Sequence, residues 1–144
     1  MGILMKSSWL LTHNPRYSDP PTFDTHNWSF GNRIHGVERG DVVWLMRLGE
    51  EPRGLLARGR VVSNLYQFTH WENQYRTANY ADVEWETIIG DADYVLPIKE
   101  LKLIAPGMNW TPQQSGITMP DDVAQALAPV WEDWVKTYDI SLFD

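Results

Sequence analysis

The chain has no cysteine. Disulfides and thiolate metal sites are therefore excluded, and a cytosolic setting is the default expectation. No apolar run approaches the length of a membrane span, so no membrane partner is expected; the opening Met1-Gly-Ile-Leu-Met5 is too short for the apolar stretch of a secretory signal. Four histidines (His13, His26, His35 and His70) show no paired metal spacing, and neither His-Glu-x-x-His nor Gly-x-Ser-x-Gly occurs. The glycines are scattered singly, which leaves no loop to cradle a phosphate and implies no cofactor. Asp121 and Asp122 are adjacent at a helix start, where they suit the helix dipole better than acid–base work. These absences point away from an enzyme and toward a non-catalytic chain.

Positive charge is also scarce. Twelve Lys/Arg stand against 19 Asp/Glu, a net charge of −7, which argues against a general nucleic-acid binder. The distribution softens that objection. Residues 1–76 hold nine basic and seven acidic side chains, whereas residues 77–144 hold three and twelve. Arg33, Arg39, Arg47, Arg53, Arg58 and Arg60 crowd into one short stretch, so the surface is either two-faced or simply solvated.

What the sequence has in quantity is tryptophan, eight in 144 residues. A buried indole needs a partner for its N–H, so a small core has limited use for many of them. At 43% hydrophobic and 22% charged the chain reads as one ordinary globular domain covering residues 1–144, without repeats, low-complexity tracts or a linker.

Ser8-Trp-Leu-Leu-Thr12 reads as a first strand stopped by Asn14-Pro15, and residues 14–26 as a long loop. Extended structure resumes at Asn27-Trp-Ser-Phe-Gly31. After the Gly40-Asp41 turn, residues 42–48 are apolar on both faces and predict a central strand. Residues 49–54 predict a hairpin connection and residues 55–62 its returning strand, with Arg58 and Arg60 outward and Gly59 marking a bulge or close approach. Residues 64–78 are expected to be a loop holding Tyr66, His70, Trp71 and Tyr75, followed by a strand over 80–85 and a short helix or turn ending near Leu103. The last helix opens with Pro120 in its first turn and turns Val123, Leu127, Val130, Trp131 and Trp134 to the core; Pro129 is expected to kink or divide it. Strands in hairpin order with marginal helices predict an α+β domain built on a small β-barrel.

Position divides the tryptophans. Trp9, Trp44, Trp85, Trp131 and Trp134 fall in strands or on the helix stripe and are assigned mainly to the core, while Trp110, before a Ser-Gly turn, is ambiguous. Trp28 and Trp71 lie among polar residues at loops, where flat rings can hold a planar base by stacking while a few polar groups read its edge. Ser29 and Asn14 are the nearby candidates for such edge contacts.

The order of segments carries a resemblance. Leu10-Leu-Thr-His-Asn-Pro15, Trp28-Ser-Phe-Gly31, Gly40-Asp-Val-Val-Trp-Leu-Met-Arg-Leu-Gly49 and Pro52-Arg-Gly-Leu-Leu-Ala-Arg-Gly-Arg-Val62 are followed by Tyr80-Ala-Asp-Val-Glu-Trp85 and Trp110-Thr-Pro-Gln-Gln-Ser-Gly-Ile117. From about Trp9 to Trp134 this series resembles the EVE-like domains of the PUA superfamily, particularly those at the front of HNH-type modification-dependent endonucleases. It is also similar to the YTH domain, a reader of 6-methyladenine in RNA. The resemblance implies a small twisted PUA-like β-barrel flanked by helices, with an aromatic pocket for a flipped, modified base. It places Trp28 and Trp71 as cage walls, Ser29 as a base contact, and Ser115, in Gln114-Ser-Gly-Ile117, near the binding face. Asn14 borders the pocket, and Arg33, Arg58 and Arg60 are the candidates to track phosphates. The chain departs from the pattern at His13, where the family usually has Trp before Asn-Pro. It carries no HNH motif, so any cleavage belongs to another domain or a separate nuclease.

The leading expectation is therefore a cofactor-free reader of a methylated or hydroxymethylated base in DNA, serving modification-dependent restriction with an HNH-type nuclease as partner. The alternatives are an RNA-binding PUA-like protein, a small enzyme or metabolite binder of the ASCH type, and a protein-interaction module anchored by exposed tryptophans.

Overall fold

The computed structural model describes residues 6–69 and 77–138. Among the described residues eight strands form one mixed sheet, and every inter-strand pair but one is antiparallel. The exception joins β1 (Ser8–His13) to β3 (Val42–Arg47) in parallel, from Ser8↔Val42 to His13↔Arg47. A parallel pair needs a long crossover, and the chain spends it on residues 14–41, which carry the Pro-rich loop and the short β2 (Asn27–Ser29). β3 turns back into β4 (Gly54–Val61), β4 pairs with the long β6 (Thr77–Ile88), and β2 and β5 (Tyr66–Thr69) both pair with β6. The path β2-β6-β4-β3-β1-β8, with β8 at Ile117–Met119, curls into a half-barrel; β7 (Leu96–Pro97) adds to β4.

The two-sided apolar strands account for two cores. Alternation sends Trp9 and Leu11 of β1, and Val43 and Leu45 of β3, to the inside of the curl with Phe30, Val83 and Trp85. The intervening Leu10, Trp44 and Met46 face outward, where α1 (Ile98–Ile104) and α2 (Asp121–Tyr138) cover them with Leu101, Leu127 and Trp131. Trp110, ambiguous from sequence, joins this second core at 2% exposure, and its indole N–H donates to the Ala105 carbonyl at 3.0 Å. Buried Asp41 ties the start of the barrel, accepting from the Trp9 indole N–H (2.9 Å) and the backbone N–H of Glu38 (2.9 Å) and Ser7 (3.2 Å).

Three expectations need correction. Residues 66–69 are a strand, and β6 starts at Thr77, because Tyr66 pairs with Tyr80 across the ladder; the polar composition of this stretch hid a short edge pairing. Pro129 does not divide α2, which runs unbroken; Pro129 is exposed, so the carbonyl four residues back that loses its donor can turn to water. Pro120 caps α2 from outside its first turn, its carbonyl accepting from the Ala124 N–H at 3.0 Å. Gly59 behaves as expected. The register shifts between Arg58 and Gly59, and a Cβ there would stand 2.7 Å from the Glu84 carbonyl oxygen.

Candidate functional site

The C-terminal end of β1, the loop after it and β2 enclose a recess of about 350 Å³ lined by Thr12, His13, Asn14, Ser18, Asp19, Thr25, Asn27, Trp28, Ser29 and Tyr80. That size falls in the range of small-molecule pockets, roughly 300–1,000 Å³. Trp28 is its half-buried wall. The indole N–H donates to the Thr12 carbonyl at 3.0 Å, which locks the ring against β1. Two further rings meet it edge to face, with centroids 5.8 Å away: Trp85 of β6 at 88° and His13 of β1 at 67°. A ring braced in this way costs little conformational entropy when a flat ligand settles on it.

His13 is a lining residue that composition and spacing do not single out. It is buried, and its Nδ1 lies 3.3 Å from the Ser18 hydroxyl. Burial, and secondarily the Arg47 guanidinium, push its pKa below the ordinary value, against a smaller opposing pull from Asp19. The imidazole is thus neutral at pH 7 and offers the recess a polar ring without charge. Asn27 and Tyr80 were not anticipated either. Asn27 donates to the Tyr66 hydroxyl (3.0 Å), which in turn donates to Asp82 (2.6 Å), so the newly found β5 braces the strand bearing Trp28.

The sequence-derived candidates divide. Trp28, Ser29 and Asn14 come together at the recess. The Ser29 hydroxyl accepts from the Gly31 N–H at 3.0 Å, while the Asn14 side chain accepts from the Arg16 N–H at 3.0 Å and closes a turn. Ser115 lies behind the wall and does not line the recess. Its hydroxyl donates to the Ser29 carbonyl (2.6 Å) and accepts from the Thr12 N–H (3.1 Å), stapling β2 to β1. Close packing permits this staple, since a Cβ on Gly31 would stand 2.7 Å from the Ser115 carbonyl oxygen. Trp71 lies outside the described residues.

The arginines divide as well. Arg33 lines a hollow of about 300 Å³ beside Ser115, its Nε–H donating to the Gly116 carbonyl at 3.2 Å and its guanidinium lying 4.9 Å from the Trp9 ring. Arg58 and Arg60 lie on the other face of the sheet. Arg58 stacks 5.0 Å from Trp44, which packs against Trp131 of α2, and both arginines approach Glu86, at 3.9 and 3.4 Å. The sheet therefore separates them from Trp28. No group of three or more metal-ligating side chains occurs among the described residues. None of the described helices is long and apolar enough to cross a membrane.

A curled mixed half-barrel with two helices on its outer face defines the PUA-like class of small α+β domains. Solved structures share this fold. A hypothetical protein from Leishmania major superposes with a TM-score of 0.65 over 90% of this chain and 96% of its own, at 16% identity. Human THYN1, solved in complex with DNA containing 5-methylcytosine, gives 0.59 over 88% and 98%, at 10% identity. The Mmi1 YTH domain gives 0.56 over 92% and 78%, at 11% identity, and has also been solved with RNA. The sequence itself matches no protein-family model and no curated protein.

Proposed function

We propose that this protein is a non-catalytic reader of a modified nucleobase in DNA, and that it takes the base out of the stack into the recess at Trp28. The observation that carries the reading is the Trp28 wall itself: a half-buried indole with its N–H engaged, facing a hollow of about 350 Å³ ringed by short polar side chains. Stacking on such a ring is worth about 1–3 kcal/mol per base and does not depend on sequence. Asn14 and Ser29 supply edge contacts, and Trp71 supplies the second wall. A methyl on the base would be shielded between the rings, whereas an unmodified base would leave that space unfilled. Of the three candidate arginines, Arg33, which lies over Trp9 on the inner side of the curl, is assigned to phosphate. Arg58 and Arg60, already engaged by Glu86 across the sheet, are not assigned to the same DNA strand.

The solved complex of THYN1 with methylated DNA supports DNA as the ligand. The resemblance to domains that precede HNH endonucleases supports a place in modification-dependent restriction, with cleavage supplied by another domain or a partner nuclease. A specific observation favours RNA as the second reading, since the Mmi1 YTH domain with the same fold has been solved with RNA. A panel of DNA and RNA oligonucleotides carrying 5-methylcytosine, 5-hydroxymethylcytosine or 6-methyladenine, each against its unmodified control, tests both. The reading expects one modified DNA to bind several-fold more tightly than its control, with affinity falling as salt rises. Equal binding of every modified and unmodified pair would refute it.

A further inference from the structure

Beside the recess stands an aromatic side chain that the stacking wall does not use. Tyr17 is 85% exposed, the most exposed of the large hydrophobic side chains among the described residues. Its surroundings are not those of a loose loop. The Tyr17 N–H donates to the Asn14 carbonyl at 3.1 Å, and the Asn14 side chain accepts from the Arg16 N–H, so one turn is closed twice over. The base of that turn is wedged in place: a Cβ on Gly49 would stand 2.3 Å from the Asn14 side-chain oxygen, so only glycine leaves room for it. On one side Arg16 approaches Glu50 at 3.7 Å; on the other, Ser18 meets His13 in the recess wall. Pro15 fixes a further backbone angle. The ring is therefore held out into water by a braced turn whose next residue, about 3.8 Å along the chain, already lines the recess.

Flipping a base out of a duplex leaves a gap in the stack and an orphaned partner, and proteins that distort DNA often fill such a gap with an inserted side chain. We propose that Tyr17 is this strand-insertion residue: its ring enters the duplex and occupies the space vacated by the base that Trp28 receives. The inference rests on the reading above and adds to it, since it requires a double-stranded ligand. Phe23, in the same loop, is 44% exposed and is the weaker candidate because more of its ring is already covered. The neighbouring Arg16 guanidinium, 60% exposed, is placed to meet the backbone beside the opened pair.

The test measures wild type, Tyr17→Ala, Tyr17→Phe and Trp28→Ala against one modified sequence, presented both as a duplex and as a single strand, each with its unmodified control. Tyr17→Ala should bind the modified duplex more weakly by on the order of tenfold, from the lost stacking of one ring, and should bind the single strand as wild type does. Tyr17→Phe should match wild type on both, because insertion uses the ring and not the hydroxyl. An unchanged duplex affinity in Tyr17→Ala would overturn the proposal, as would an equal loss on both ligands. The two levels separate cleanly. If Trp28→Ala loses modification preference while Tyr17→Ala changes nothing, insertion fails and the reader stands; if wild type shows no preference on either ligand, both fail.

Discussion

Replacing Trp28 by alanine probes the recess most directly, and its effect has two parts of different size. The structural part follows from three contacts: the N–H bond to the Thr12 carbonyl, and the edge-to-face packing on Trp85 and His13. A typical hydrogen bond contributes about 0.5–1.5 kcal/mol net, and an aromatic pair about 0.5–1.5 kcal/mol beyond its buried area. The loss of stability from these three contacts is then about 1.5–4.5 kcal/mol, less than the roughly 5–15 kcal/mol that holds an average domain together. The functional part is the stacking term, about 1–3 kcal/mol, or a factor of about 5 to 150 in Kd. Urea denaturation followed by circular dichroism establishes that the variant is folded and measures the first part. Fluorescence anisotropy with labelled modified and unmodified oligonucleotides then measures the second. The decisive quantity is the ratio of the two affinities, because a general loosening of the protein lowers both together. Trp28→Phe, which keeps a ring but loses the N–H, should fall between wild type and alanine. A folded Trp28→Ala protein that retained the wild-type ratio would refute the assignment of this wall.

Ser115→Ala should destabilise the fold by about 0.5–1.5 kcal/mol for each of two hydrogen bonds in urea denaturation, because the half-buried Thr12 N–H and Ser29 carbonyl lose their shared partner; an unchanged midpoint would contradict the staple. Gly59→Ala should cost about 1–3 kcal/mol, since the added Cβ meets the Glu84 carbonyl oxygen at 2.7 Å and backbone must shift. A neutral result in thermal unfolding would mean the bulge has slack that the packing does not show. His13 carries a pH dependence of definite sign. Its folded pKa lies below the ordinary value of about 6.5, so between those two values the unfolded chain binds the extra proton. Stability from this group is full above about pH 6.5, falls as the pH drops through that window, and changes no further below the folded pKa. Subtracting the stability curve of His13→Asn from that of wild type isolates it from the carboxylates, and a flat difference from pH 7 to pH 4 would refute it.

The legible parts of this protein share a cause. β1, β3 and β4 were readable because their alternation and apolar runs are local patterns, and α2 because its stripe recurs at helical spacing. Gly59 was readable as a bulge because a lone glycine inside a strand has few other uses. β5 was not readable, since four residues among polar neighbours form a strand only through a ladder to β6 that composition does not contain. Ser115 shows the same limit: the order of segments placed it near the binding face, whereas its bonds to Thr12 and Ser29, which make it a staple, join positions far apart in the chain.

The sequence by itself determined that the chain would hold no disulfide, that most of its tryptophans would be core, and that Trp28 would stand apart from them. Those outcomes depend on residue type and on neighbours a few positions away. Only the tertiary structure decided what surrounds Trp28. His13 meets it because the curl of the sheet brings the end of β1 up to β2, and the staple behind it joins Thr12 to Ser115, 103 positions later. It also decided that Arg58 and Arg60 face away from the recess, because the curl of the sheet puts their face of β4 on the side covered by α2. Contacts of that range are set by how the strands are ordered and curled, and no pattern within a short stretch of sequence encodes them.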